Sequence, residues 1–184
     1  MHYCLVLFTE KLPTRSEIDS VMKKYHDDNA RIDKENGIYP QFTWDWYEIG
    51  GRYSGQIKMK VDMDNDDYEW KYYAKQRRNG RLFWSYLLND FEHQTKYPFY
   101  REEDYFNSMG FRDGFMYVDG AKMSDITNIN DIGCYTFIDA NGEAYSREYW
   151  NGDNFIANDD FEERLQAQID KSQDLFLTII DYHD

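Results

Sequence analysis

The apolar positions of this chain fall into a few short, well-bounded runs. Residues 2–9 are apolar or β-prone on both faces, the pattern of a strand buried in the middle of a sheet. After Pro13, Thr14-Arg15-Ser16-Glu17 has capping-box spacing, and the spacing predicts a helix from there. Ile18, Val21, Met22 and Tyr25 give it one apolar stripe, spent by Asp27-Asp28-Asn29. Residues 43–49 are rich in aromatic and β-branched side chains and read as a strand, which Gly50-Gly51 ends and Gly55 turns again. In residues 56–63, Ile57, Met59, Val61 and Met63 alternate with polar residues, so a half-exposed strand is expected antiparallel to the preceding one.

Residues 69–73 extend the sheet in this reading, and 82–91 form a short helix. Residues 92–131 lack sustained periodicity and read as an insertion over the core. Beyond them, 134–139 and 143–149 flank Asn141-Gly142, which predicts a hairpin with a type I′ turn. A last helix follows Asn158-Asp159-Asp160, with Phe161, Leu165 and Ile169 on one side. The nearly apolar run 175–180 closes the chain as a second central strand, and the two ends are expected to pair. The expected fold is a single α+β domain over residues 1–184: one mainly antiparallel sheet with helices packed on one face, ferredoxin-like, with an insertion over roughly 92–131.

Composition narrows the function. Thirty-five acids against 21 Lys and Arg leave a net charge of −14, which opposes unassisted binding to a phosphate backbone and favours a basic partner, although such charge also serves plain solubility. Aromatic residues make up 18% of the chain, with 17 tyrosines, so many rings are expected at half-buried or partner-facing positions. Cys4 and Cys134 are too few and too far apart for a disulfide framework or a thiolate zinc site. They read as buried free thiols in a reducing cytosol. No run approaches the length of a membrane span and no leader is recognised, so a cytoplasmic protein without a membrane partner is expected.

Motif chemistry excludes more than it selects. There is no phosphate loop, no His-Glu-x-x-His, no nucleophile elbow and no paired-cysteine spacing. Asp62, Asp64, Asp66 and Asp67 crowd one turn, but Asp67 and Tyr73 occupy the positions where an EF-hand needs glycine and glutamate, so calcium on that template is rejected. No cofactor is expected and no metal ligands are assigned, while a divalent-metal requirement is left open.

Three candidates remain for catalysis. Glu10 stands where the first strand leaves the sheet; partial burial there would raise its pKa and suit it to acid–base work, and a structural pairing with Lys11 is the alternative. Arg52 could steady a phosphate in its transition state, and Asp45 could share its surface with Tyr47; equally, Asp45 and Arg52 could form a structural ion pair. His2 and His183 come together if the terminal strands pair, though strand-end histidines are usually solvated. For nucleic acid, Lys71, Tyr72, Tyr73, Lys75, Arg77, Arg78 and Arg81 interleave cations and rings without an acid, as single-stranded RNA binding requires. A loop pairing with the chain's own acids explains the same stretch.

The run Trp44-Asp45-Trp46-Tyr47-Glu48-Ile49-Gly50-Gly51-Arg52-Tyr53-Ser54-Gly55 resembles a motif of small phage and mobile-element proteins, mostly of unassigned function. Both chain ends share the likeness; residues 92–131 do not. Within that group the length, acidity and opening segment up to Glu10 are similar to anti-CRISPR proteins of streptococcal phages that inhibit type II-A RNA-guided DNA nucleases. The resemblance implies effector-dependent truncation of the bound guide RNA, with the acid at the end of the first strand, here Glu10, required. It implies a type II-A effector and its guide RNA as partners. The residues alone fit two other readings: an acidic, non-catalytic inhibitor that occupies a nucleic-acid channel, and a mobile-element protein binding a small ligand.

Overall fold

The computed structural model describes residues 1–30, 32–53, 55–60, 73–78, 81–86 and 115–184. Strand β1 (His2–Thr9) is central, as its two apolar faces require. Cys4, Val6 and Phe8 enter one core layer, and Leu5 and Leu7 enter the other. Its neighbour β12 (Phe176–His183) runs antiparallel over the full length, from His2↔His183 to Thr9↔Phe176. The ends of the chain therefore pair as expected.

On the other side β1 runs parallel to β8 (Thr136–Ile138), which turns back into β9 (Ala144–Ser146). That turn differs from the expected type I′. Gly142 N–H donates to Asp139 O across 2.9 Å and Gly142 takes φ +79, so the glycine occupies the bulge position of a longer hairpin loop. Beyond β12 lies β2 (Trp46–Ile49), giving the order β2-β12-β1-β8-β9, with β7 (Gly120–Lys122) also on β12. The chain is of the mixed α+β class with a mainly antiparallel sheet.

The helices take opposite faces of that sheet, not the one face expected of a ferredoxin-like arrangement. Helix α1 (Arg15–Met22) buries Ile18 and Met22 against Leu5, Leu7, Ile180 and Tyr182. Its start has the expected capping box: Glu17 N–H donates to Thr14 Oγ1 at 3.3 Å, and Thr14 N–H donates to Glu17 Oε2 at 2.7 Å. Helix α2 (Phe161–Lys171) lays Phe161 and Ile169 on the layer of Val6, Phe8, Leu177 and Ile179. A sheet whose central strands are apolar on both sides needs cover on both, which is the physical reason for the difference.

Two segments pair differently from their pattern. Strand β3 (Ile57–Lys60) does not return along β2; it pairs antiparallel with β6 (Phe115–Val118), and Ile57, Met59 and Val118 are fully buried. Residues 92–114 of the expected insertion lie outside the described residues. The remainder, 115–131, belongs to the core, with Val118, Ala121 and Met123 buried. The helix expected from Leu82 is instead strand β5 (Arg81–Tyr86), hairpin partner of β4 (Tyr73–Arg78). Residues 87–91 of that helix are outside the described set. The aromatic, β-prone run 83–86 and the Asn79-Gly80 dipeptide between the strands both carry the hairpin signal.

Candidate functional site

The glycine-rich turn after β2 is built around two buried carboxylates. Strand β12 changes neighbours at Ile179, whose N–H donates to Asp119 O and whose carbonyl accepts from Gly50 N–H, each at 2.7 Å. β7 occupies one side of that gap and β2 the other. Into it fold Gly50 and Gly51, at φ +65 and +47. Asp181, 1% exposed, accepts the Arg52 N–H on Oδ2 at 2.9 Å. Asp119, fully buried, accepts the Gly55 N–H on Oδ1 at 2.6 Å. A Cβ on residue 51 would overlap Asp181 Cβ and Oδ2. The glycines that make the motif conspicuous thus let backbone close over a buried acid.

The second oxygen of Asp181 reaches the surface chemistry. Its Oδ1 accepts from His2 Nδ1 at 2.9 Å. Across the β1–β12 ladder stands His183, whose Nδ1 donates to Asp45 Oδ1 at 2.8 Å. That bond holds the Asp45 carboxyl below the usual carboxylate range. The two imidazole centroids are 5.2 Å apart at 66°. Each ring is oriented through Nδ1 by a carboxylate, which leaves both Nε2 atoms for other work. Tyr53 O–H donates to the His2 carbonyl at 3.0 Å, and Trp46, 46% exposed, stands edge-on 5.8 Å from the His2 ring. The side chains of His2 and His183 are 22% and 40% exposed.

The structure brings two of the three expected catalytic residues to this place. Asp45 joins through His183, and Arg52 through its main-chain bond to Asp181, with the Arg52 side chain exposed. They do not form the ion pair that offered a structural explanation, since Asp45 is bonded to His183. Tyr47 does not share their surface: it is buried on the opposite face, where its hydroxyl donates to Asp19 and the Arg15 guanidinium lies 4.7 Å from its ring centroid.

Glu10 stands apart. It follows the far end of β1, roughly 26 Å from His2 at about 3.3 Å per strand residue. It is exposed, so the partial burial expected of it is absent, and Lys11 pairs with Glu17 at 2.6 Å instead. Of the basic and aromatic stretch, Lys71 and Tyr72 lie outside the described residues. Tyr73, Lys75, Arg77 and Arg78 belong to β4, and Arg81 opens β5.

Asp181 and Asp119 have no counterpart among the residues singled out from the sequence. The available signal was an acid directly after the apolar run 175–180, in a chain that also carries Gly50-Gly51. Both cysteines are free and buried as expected. Among the described residues no group of three or more His, Cys, Asp and Glu is arranged to hold a metal ion, and no helix is long and apolar enough to cross a membrane. Comparison with protein-family models, curated proteins and solved structures finds no match.

Proposed function

We propose that this chain inhibits a type II-A RNA-guided DNA nuclease by shortening its guide RNA, with His2 and His183 as the acid–base pair. The observation that carries the reading is two imidazoles 5.2 Å apart, each bonded through Nδ1 to its own carboxylate. RNA supplies its own nucleophile, and its cleavage needs a base at the 2′-oxygen and an acid at the 5′-oxygen. One neutral imidazole Nε2 takes the 2′-hydroxyl proton as that oxygen attacks phosphorus. The P–O5′ bond breaks, and the other ring, protonated, delivers its proton to the leaving oxygen. The products are a 2′,3′-cyclic phosphate and a free 5′-hydroxyl. Arg52 supplies positive charge for the non-bridging oxygens, and exposed Trp46 offers a face on which a base can stack.

The net charge of −14 explains why such activity would depend on the effector. Free RNA is repelled, whereas RNA already seated in a basic channel is carried to the site by the protein partner. The resemblance that directs attention to guide RNA names Glu10 as the required acid. The geometry favours the histidine pair for the proton transfers, because Glu10 is exposed and, among the described residues, no hydrogen bond or ion pair orients its carboxylate.

The test is a denaturing gel of labelled guide RNA with and without a type II-A effector, for the native chain and His2→Asn, His183→Asn and Glu10→Gln. Expected is a shortened RNA, made only with effector, ending in a cyclic phosphate and reduced about 10²-fold or more by either histidine variant. A 2′-deoxy nucleotide at the cut position should block it. Cleavage that survives both histidine variants but not Glu10→Gln would move the chemistry to the end of β1. RNA left whole in every lane, with DNA cleavage still inhibited, would select the non-catalytic acidic inhibitor.

A further inference from the structure

The opposite face of the same sheet end carries an aromatic cleft of about 110 Å³. Its floor is Tyr3 and Tyr135, ring centroids 4.4 Å apart. Its outer wall is the hairpin of β10 (Glu148–Trp150) and β11 (Phe155–Ala157), where the Trp150 and Phe155 ring centroids are 5.1 Å apart and the residues are 41% and 61% exposed. Large rings left this open on a hairpin wall are a feature of recognition surfaces more than of cores.

Two carboxylates border the cleft. Glu148 Oε1 accepts the Tyr135 O–H at 2.5 Å, and Asp184 Oδ1 accepts the Thr43 O–H at 3.0 Å. Both carboxylates are held by neutral hydroxyls. The Met1 ammonium bonds the main-chain oxygen of Asp184, and the second side-chain oxygen of each carboxylate is without a cationic side-chain partner among the described residues. Burial and then the charges of Asp184 and Glu148 push the Tyr3 phenol pKa up, so both charges are felt at the floor.

We propose that this cleft receives an arginine side chain from an extended, basic segment of a protein partner. A guanidinium is planar: it stacks on ring faces while its edge donates to a carboxylate, which an ammonium does less well. The overall charge of −14 steers a basic surface to this protein and turns a nucleic-acid ligand away from a cleft that already holds two negative groups. The inference deepens the proposed function by stating what the partner presents, and rests on it only in taking that partner to be a nucleic-acid-binding protein.

The test uses the free chain and a capped Gly-Arg-Gly-Arg-Gly peptide, titrated calorimetrically beside the same peptide with citrulline or lysine at both positions. The arginine peptide is expected to bind at least ten-fold more tightly than the citrulline peptide and several-fold more tightly than the lysine one. Trp150→Ala and Glu148→Gln should each weaken it five-fold or more, and Glu163→Gln, on α2 across the sheet, should leave it unchanged. Should Trp150→Ala lower the melting temperature, Phe155→Ser provides the second variant. Equal loss on Glu163→Gln, or equal binding of the citrulline peptide, overturns the proposal. So does self-association in sedimentation that Trp150→Ala abolishes, which would make a second copy the occupant. The peptide needs neither effector nor RNA, so a failure here leaves the RNA cleavage assay standing, and a failure there leaves this one.

Discussion

Gly51 lies against Asp181, and no side chain fits between them. Backbone at φ +47 brings the loop over a carboxylate that is 1% exposed and already committed to His2 and the Arg52 N–H. Gly51→Ala should therefore cost roughly 2–4 kcal/mol in chemical denaturation, from a strained residue added to a displaced buried acid. Gly37 is the control: it has φ +66, and a methyl group added to its Cα would meet nothing within 4 Å. Gly37→Ala should cost only about 1 kcal/mol. Equal losses at the two sites would mean that backbone strain alone accounts for Gly51.

A buried hydroxyl chain joins the sheet on the other side. Thr136 Oγ1 is 2.8 Å from both Ser146 Oγ and the Tyr182 hydroxyl. Tyr182→Phe keeps the ring, 1% exposed, and leaves Thr136 one partner, so about 0.5–1.5 kcal/mol should be lost. Denaturant midpoints at constant m-value would measure it, and an unchanged midpoint would show that the bond contributes nothing net.

The cap of α1 has a pH signature of definite sign. Bonds from Lys11 and from the Thr14 main chain and hydroxyl lower the Glu17 carboxyl to about 2. A depressed carboxylate stabilises the fold fully above its unfolded pKa near 4.3 and loses that contribution as pH falls toward the folded value. Glu17→Gln should thus be less stable than the native chain at neutral pH, by about 0.5 kcal/mol at so exposed a site. The gap should close as the solution is acidified toward pH 2. A gap that persists there would show that the charge of Glu17 is not its source.

Both thiols should be silent in the folded protein. Burial pushes Cys4 up to about 12, with Asp181 adding to it, and pushes Cys134 well above its ordinary value. Only thiolate reacts with disulfide reagents, so native protein at mildly alkaline pH should label slowly. Two thiols per chain should appear on unfolding in urea. Rapid labelling of native protein would indicate local opening at the β1 and β8 ends.

What could be read in advance follows the reach of each signal. The capping box, the α1 stripe and the terminal strands rest on neighbours within a few residues or on long apolar runs, and all three stand in the structure. The choice of face for each helix depended on β1 and β12 being apolar on both sides, a property already visible in Cys4 to Phe8 and at odds with a template covered on one face. The strand at 81–86 lost to a helix reading because its aromatics fit either period over so short a run. Among the site residues, Asp45 and Arg52 stood out by their motif. Asp181, the acid that links Arg52 to His2, is defined by a contact across 129 positions. The cleft draws on segments from Tyr3 to Asp184, an assembly that no local pattern reveals.

Lys60 and Phe115 are direct partners at the end of the β3–β6 ladder. The two ends of the connection between them are therefore held side by side, by main-chain bonds and by the buried Ile57, Met59 and Val118. Loop closure costs only about 0.6 kcal/mol for each doubling of length. A connection of another length between these two positions should therefore leave the β3–β6 ladder in register, and with it the frame that carries the histidine pair.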